Sequence, residues 1–290
     1  MNFRADFRKN IIGLLKQTGA AFDSNADTAK LCMQYLQIYD RLFIPQGIYK
    51  VEFSKELKNR MNTYSMGIIN AIADIKSKLE KGCGISGYFS KSIRKAQNPD
   101  ILLRNWNIYH AHIDAPLPKD RKYVVRSNQL LFFTYKGNVV YFIDILPHPK
   151  GNTWFNKKLI EVIYDNWPNL LEITDFTDVS PNLTDEEITK AMKRMYTLIK
   201  VRDRVVAPTA GGVASSGDNL IAVRQTQYYF NKLKEWEIWL IENEQLIVSG
   251  FEKQENKKIT EPLDIELIIE DGFFVAYDRR CQMKIKMFAL

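Results

Sequence analysis

The three histidines of this chain are the residues best suited to chemistry near neutral pH. They are His110, His112 and His148, and they supply the entire histidine content of the 290 residues. Histidine changes its charge near neutral pH and is also the commonest metal ligand in proteins. Because all three lie within one short stretch of the sequence, this stretch is where we expect the chemistry of an enzyme to be located.

Three short strands are predicted to position these histidines. Their residue pattern places them at 108–113, 129–135 and 139–146. The Lys136-Gly137-Asn138 turn makes the last two a hairpin. Side chains two residues apart share a strand face, so His110 and His112 project from one side about 7 Å apart. With sequential strand order they would face His148, at the end of the third strand, over about 10 Å of sheet.

Histidines on two sides of a phosphate can cleave RNA without a metal. One takes the proton from a ribose 2′-hydroxyl, another protonates the leaving 5′-oxygen, and cations stabilise the phosphate charge. Asp144 lies in an apolar strand and is costly to bury alone, so we expect it to pair with Arg126 or a histidine. The predicted catalytic residues are His110, His112, His148, Asp144 and Arg126, and the predicted phosphate- or RNA-binding residues are Lys91, Arg94, Lys122 and Lys150.

Other interpretations of the histidines stay open at this point. A His-x-His pair with a third histidine is also typical of catalytic zinc sites, in which the fourth position holds an activated water. In that case His110, His112 and His148 would be the zinc ligands, whereas the acid–base interpretation needs no cofactor. Each histidine could instead be structural, bonded to a backbone carbonyl, and the chain could be a non-enzymatic interaction or sensing module.

Composition and charge narrow the class of protein. Lys and Arg number 41 against 34 Asp and Glu, which gives a net charge of +7, a balance that permits polyanion binding without requiring it. The longest apolar runs are far shorter than the roughly 20 residues that span a bilayer. Three scattered cysteines, Cys32, Cys83 and Cys281, indicate neither a disulfide framework nor a zinc knuckle. We therefore expect a cytoplasmic protein without membrane contact.

An α+β fold is predicted, with N-terminal helices, a small central antiparallel sheet with flanking helices, and a C-terminal long helix followed by a β-hairpin. Residues 1–81 read mostly as helix. Further predicted elements are helices at 154–167, 185–201 and about 220–244, the second of them opened by a Thr184–Glu187 capping box, and strands at 263–269, 273–277 and about 283–288. This pattern divides the chain into regions 1–84, 85–175 and 176–290, and the histidines lie in the second.

The loop 207–219 is a second candidate site. Gly211, Gly212 and Gly217 would let backbone amides approach a ligand, and Ser215 and Ser216 could donate to a phosphate. The spacing matches no nucleotide-binding fingerprint, so an ordinary flexible loop is the alternative.

The strand sequences add a resemblance to a known family. IYHAHI, QLLFFTYKG and VVYFIDILPH, the last closing on a histidine, resemble the core of the RelE and ParE superfamily of bacterial toxins, within the wider barnase, colicin and RelE ribonuclease-like fold. The phrases LLRNWNIYHAHI, RSNQLLFF and FIDILPH are also similar to bacterial proteins from mobile-element and phage-defence neighbourhoods. The resemblance covers about residues 85 to 170.

This resemblance implies an endoribonuclease that cuts RNA without a metal, with His148 matching the histidine near the end of the last core strand. The expected protein is thus a bacterial toxin or phage-defence effector that acts on RNA. An antitoxin or a defence-system protein is the expected partner, and a homodimer is a further hypothesis.

Overall fold

The computed structural model describes residues 1–42, 47–90, 100–118, 122–125, 127–149, 154–256, 258–259 and 262–290, without the side chains of 40–42. The fold is α+β, as predicted. Backbone contacts divide it into two compact units, the first formed by residues 1–36 and 222–290 and the second by 37–221. Both predicted region boundaries, after 84 and after 175, fall inside the second unit.

The helices and strands are as follows in chain order. The helices are α1 (Phe3–Gln17), α2 (Thr28–Leu42), α3 (Lys55–Arg60), α4 (Met66–Glu80), α5 (Ile101–Trp106), α6 (Lys157–Asn166), α7 (Asp185–Ala191), α8 (Leu220–Glu242) and α9 (Glu244–Glu255). The strands are β1 (Lys50–Phe53), β2 (Tyr109–His112), β3 (Gln129–Lys136), β4 (Val139–Pro147), β5 (Glu172–Ile173), β6 (Ile199–Val201), β7 (Arg204–Ala207), β8 (Ile265–Glu270), β9 (Phe273–Asp278) and β10 (Lys284–Ala289). Short 3₁₀ turns lie at Met61–Thr63, Ser86–Tyr88 and Pro168–Leu170.

The first unit packs α1 against α8 and an antiparallel sheet of order β10-β9-β8. The inner side chains of α1 recur at helical spacing and are fully buried: Phe3, Phe7, Ile11 and Leu15. The side-chain amide of Asn10 donates to the carbonyl of Leu267 at 2.7 Å, and the backbone N–H of Leu267 donates to Asp6 at 3.0 Å. The predicted C-terminal helix and strands are confirmed, while α9 was not predicted.

The second unit contains the histidines, on a four-stranded sheet of order β1-β4-β3-β2. The predicted antiparallel meander of β2, β3 and β4 is confirmed, and Gly137 closes the hairpin with a φ of 58°. Residues 1–81 are mostly helical, as predicted, but the prediction did not include β1, which pairs in parallel with β4. This strand is only four residues long, and its partner lies far along the chain, so local periodicity does not reveal it.

Each face of this sheet carries its own apolar core. One face presents Tyr109, Ala111, Leu131, Phe133, Val140, Phe142 and Ile145 to a core that includes α4. The other presents Ile108, Leu130, Phe132 and Ile143 to α6, α7, β6 and β7. His110 and His112 pair across the ladder with Phe132 and Leu130, so both histidines lie on the second face.

A small sheet of order β5-β7-β6 replaces part of a predicted helix. The capping box of Thr184 and Glu187 is confirmed, but the helix that it opens ends at Ala191 rather than continuing to 201. The β-branched residues of β6 and β7 favour strands, and Arg202, with a φ of 55°, makes the turn between them.

The loop 207–219 is closed by its own hydrogen bonds. The backbone N–H groups of Gly211, Ala214, Gly217 and Leu220 all donate to carbonyls of the same loop. The Asn219 side chain donates to the carbonyls of Arg104 and Ala210 at 2.8 and 2.9 Å. Because these amides are used internally, the structure favours a structural role for the loop over the predicted phosphate site.

Candidate histidine active site

A β-bulge in β4 brings His148 to the face of the sheet that carries the other two histidines. Phe133 pairs with Phe142, but Phe132 pairs with Asp144, so β4 contains one extra residue at this point. The extra residue reverses the alternation beyond it. Leu146 therefore joins the core on the histidine face, and His148, two residues further on, follows it.

The three histidines come together in a group of ring contacts that includes Trp154. The ring centres of His110 and His148 lie 5.0 and 5.3 Å from that of Trp154. The rings of His112 and His148 are stacked, with centres 6.3 Å apart and planes 21° from parallel. This separation is shorter than the predicted span of about 10 Å, because the bulge and the strand twist carry His148 toward His112.

A backbone hydrogen bond fixes the position of the ring proton of His112. The N–H of Ser127 donates to Nδ1 of His112 at 3.1 Å. A backbone N–H can only donate, so Nδ1 is unprotonated and the neutral ring carries its proton on Nε2. The Ser127 hydroxyl also lies 3.2 Å from Nδ1, but it accepts from the Ile113 N–H and donates to the Gln129 carbonyl.

His148 has the opposite arrangement. Its Nδ1 lies 3.1 Å from the carbonyl oxygen of Pro149. A carbonyl can only accept, so Nδ1 carries a proton and Nε2 is the basic nitrogen of the neutral ring. His148 is partly exposed, whereas His112 is only 4% exposed. The geometry therefore makes His148 the better placed proton acceptor of the two.

His110 lies beside a carboxylate that was not predicted as part of the site. Its Nδ1 is 3.5 Å from one oxygen of Asp100, whose other oxygen caps α5 by accepting from the Leu103 N–H. Burial lowers the pKa of His110 below its ordinary value of 6.5. The Asp100 carboxylate partly opposes this effect by raising the pKa, whereas His148 lowers the pKa further.

This lowered pKa predicts a loss of stability in acid. Below pH 6.5 the unfolded chain takes up a proton at His110 more readily than the folded protein does. The free energy of unfolding therefore falls as the pH falls, until His110 is protonated in the folded protein as well. We expect the wild-type protein to lose more stability between about pH 7 and pH 5 than His110→Gln, as measured by urea unfolding. Asp100→Asn keeps the helix cap but removes the opposing charge, so its acid loss should be steeper than that of the wild type. An equal loss in all three proteins would contradict the prediction.

Asp144 pairs with a residue other than those predicted. It is fully buried, and its carboxylate accepts from Arg60 at the end of α3 and from the Ile145 N–H at 2.7 Å. Arg60 was not among the expected partners, and Arg126 lies outside the described residues, so its pairing with Asp144 stays a prediction. Ser54 anchors α3 beside the bulge. The Ser54 N–H and hydroxyl donate to the carbonyls of Phe142 and Ile143 at 3.0 and 2.6 Å.

Most of the predicted cationic residues cannot be placed in this site. Arg126, Lys91, Arg94 and Lys150 lie outside the described residues. Lys122 is described and exposed, and its ammonium lies 6.0 Å from the centre of the Tyr123 ring. Its predicted role in binding phosphate stays a prediction.

Asp100, Ser127 and Trp154 are the site residues that the sequence analysis missed. Asp100 carries a recognisable helix-cap signal ahead of an apolar run, but nothing local shows that its second oxygen faces a histidine. Ser127 acts through its backbone, which no side-chain pattern reveals. Trp154 was predicted as a helix residue, whereas α6 begins at Lys157 and leaves Trp154 outside it.

Among the described residues, no group of three or more His, Cys, Asp or Glu side chains is arranged to hold a metal ion. For His112 to bind zinc through Nε2, its proton would have to move to Nδ1, where the Ser127 N–H already donates. A zinc site built on all three histidines therefore requires a different orientation of the His112 ring, without the hydrogen bond from Ser127.

The net positive charge of the protein lies in the unit that carries the histidines. Residues 37–221 contain 26 Lys and Arg against 19 Asp and Glu, whereas the other unit contains 15 of each. The whole formal excess of +7 thus belongs to the second unit.

No protein-family model matches the chain, and no curated protein or solved structure does either. The resemblance to RelE and ParE toxins therefore stays a prediction from the sequence. None of the helices within the described residues combines the length and the apolar composition of a membrane span.

Proposed function

We propose that this protein is a metal-independent endoribonuclease of the kind used as a bacterial toxin or phage-defence effector. The observation that supports this most is that ring contacts join His110, His112, His148 and Trp154 on one face of the sheet. The net positive charge of the same unit suits an RNA substrate. The family resemblance of the strand sequences points to the same activity.

The proposed reaction uses two of the histidines for proton transfer. Nε2 of His148 takes the proton of a ribose 2′-hydroxyl, and the 2′-oxygen attacks the adjacent phosphorus. The bond from phosphorus to the 5′-oxygen breaks, and protonated His110 gives its proton to that oxygen. The products are a 2′,3′-cyclic phosphate and a 5′-hydroxyl, after which exchange with water restores both histidines.

His110 suits the acid role because of its neighbour. The Asp100 carboxylate, 3.5 Å away, balances the charge of a protonated ring. A bound phosphate brings further negative charge to the site and favours the same protonated form, against the effect of burial. His110 thus gains its proton when substrate is present and releases it as the 5′-oxygen leaves.

The test is to incubate the purified protein with total bacterial RNA and with defined single-stranded RNA in EDTA. We expect cleavage that leaves 2′,3′-cyclic phosphate and 5′-hydroxyl ends, and no cleavage where the 2′-hydroxyl at the cut site is replaced by hydrogen. Intact RNA under all conditions would count against the proposal. Cleavage that EDTA abolishes and zinc restores would support the zinc hydrolase instead.

A further inference from the structure

His112 differs from the other two histidines in its surroundings. It is 4% exposed, and its ring is stacked on the partly exposed ring of His148. The backbone N–H of Ser127 donates to Nδ1 of the His112 ring. A histidine in this position is poorly placed to touch a substrate but well placed to hold its neighbour.

The hydrogen bond to Ser127 also controls the charge of His112. Protonating the ring would place a hydrogen on Nδ1, directly against the N–H of Ser127. The bond would be lost, and the buried N–H would be left without its acceptor, which is unfavourable. The ring is therefore held in its neutral form, protonated on Nε2.

Ser127 is itself fixed in place by its hydroxyl. That hydroxyl accepts from the Ile113 N–H at 3.3 Å and donates to the Gln129 carbonyl, so it joins the end of β2 to the start of β3. These bonds determine where the Ser127 N–H points. The position of the His112 ring is thus set by two strands rather than by a single contact.

A neutral ring beside His148 matters because His148 must gain a positive charge when it acts as a base. A second charged ring at 6.3 Å would oppose that step, whereas a neutral aromatic face does not. The stack and the Pro149 carbonyl, bonded to Nδ1 at 3.1 Å, together restrict the orientation of the His148 ring.

We propose that Ser127 and His112 form a positioning pair that keeps His148 oriented, with Nε2 as its basic nitrogen, and that His112 transfers no proton itself. The catalytic part of this inference rests on the proposed function, whereas the protonation pattern does not. His112 thereby becomes a positioning residue, and the acid–base pair consists of His148 and His110.

The protonation pattern can be measured without any activity assay. In protein labelled with ¹⁵N at histidine, long-range ¹H–¹⁵N correlation spectra separate protonated from unprotonated ring nitrogens. At a pH near 8 we expect His112 to carry its proton on Nε2 and His148 on Nδ1, with assignments from His112→Asn and His148→Asn. The same tautomer at both residues, or rapid averaging at His112, would overturn the inference.

The positioning role is tested by substitutions that separate ring shape from proton transfer. His112→Phe keeps a flat neutral ring against His148, so we expect it to retain at least about a tenth of the cleavage rate, with an unchanged pH dependence. His148→Phe should lose about a hundredfold or more, as removal of a general base does. His112→Ala, which removes the stack, should fall between them, since misplacement of a catalytic group can itself cost up to about a hundredfold.

If a folded His112→Phe protein cleaved RNA as slowly as His148→Phe, His112 would be a proton-transfer residue and the proposal would be wrong. Since phenylalanine leaves the Ser127 N–H without an acceptor, His112→Asn provides a second variant, because its side-chain oxygen can take the place of Nδ1. The cleavage rate of His112→Asn should fall about as far as that of His112→Ala, and the shape of its pH–rate profile should stay that of the wild type. If the wild-type protein cleaves no RNA, the proposed function fails, while the spectra still decide the protonation pattern.

Discussion

Replacing His148 by alanine is expected to lower the rate of RNA cleavage by about 10² to 10⁴-fold, the range for loss of a general base. Nε2 of His148 is the unprotonated nitrogen of a ring that the Pro149 carbonyl orients. The side chain is partly exposed, so its removal should change the free energy of unfolding by less than about 1 kcal/mol. Single-turnover cleavage of a defined RNA, with urea unfolding alongside, measures both effects.

Two further variants make this result specific to proton transfer. His148→Gln keeps a polar side chain of similar reach, but an amide cannot take up a proton at neutral pH, so its rate should fall as far as that of His148→Ala. Lys234→Ala is the surface control, because Lys234 is exposed on α8 in the unit that does not contain the histidines. An undiminished rate in His148→Ala, with the protein folded, would refute the assignment.

The strands of this site could be predicted from the sequence, but their alignment could not. The alternating residues and the turn at Gly137 predict β2, β3 and β4 as they are found. Strict alternation from Val140 and Phe142, however, would place His148 on the opposite face from His112. The bulge at Asp144 reverses this, and it depends on pairing between strands, which no single strand sequence contains.

The supporting residues were missed for a related reason. Arg60 is 84 positions from Asp144 in sequence, and β1 is separated from β4 by a comparable length of chain. Such contacts arise from the packing of the whole unit, whereas local patterns report only neighbours along the chain. Ser127 shows a second limit, because its contribution to the site is a backbone N–H that every residue except proline possesses.

The predicted regions also differ from the compact units, and the reason is visible in α1. Its buried stripe packs against α8 and the C-terminal sheet, near the other end of the chain. An amphipathic pattern predicts that a helix buries one face, but it does not identify the partner. The C-terminal elements were therefore predicted correctly, while their association with residues 1–36 was not.

Replacing Arg60 by methionine is expected to cost about 3 kcal/mol of the free energy of unfolding, near the lower end of the range for breaking a buried ion pair. Asp144 is fully buried, and without Arg60 its charge would have no ionic partner among the residues described. The lower end applies because the Arg60 side chain is 36% exposed, which lets water replace part of the interaction. Urea unfolding measures the change, and a loss below about 0.5 kcal/mol would contradict the expectation.

A double-mutant cycle separates the ion pair from the packing of the Arg60 side chain. Asp144→Asn keeps an oxygen for the Ile145 N–H and leaves Arg60 able to turn toward water, so it should cost only about 1 kcal/mol. In the double variant the methionine no longer faces a buried charge, so the combined loss should be well below the sum of the two single losses. Additive losses would mean that Arg60 contributes packing alone. Asp144 lies at the bulge that brings His148 to the histidine face. A strong coupling would therefore mean that the Arg60–Asp144 ion pair stabilises the protein at this bulge.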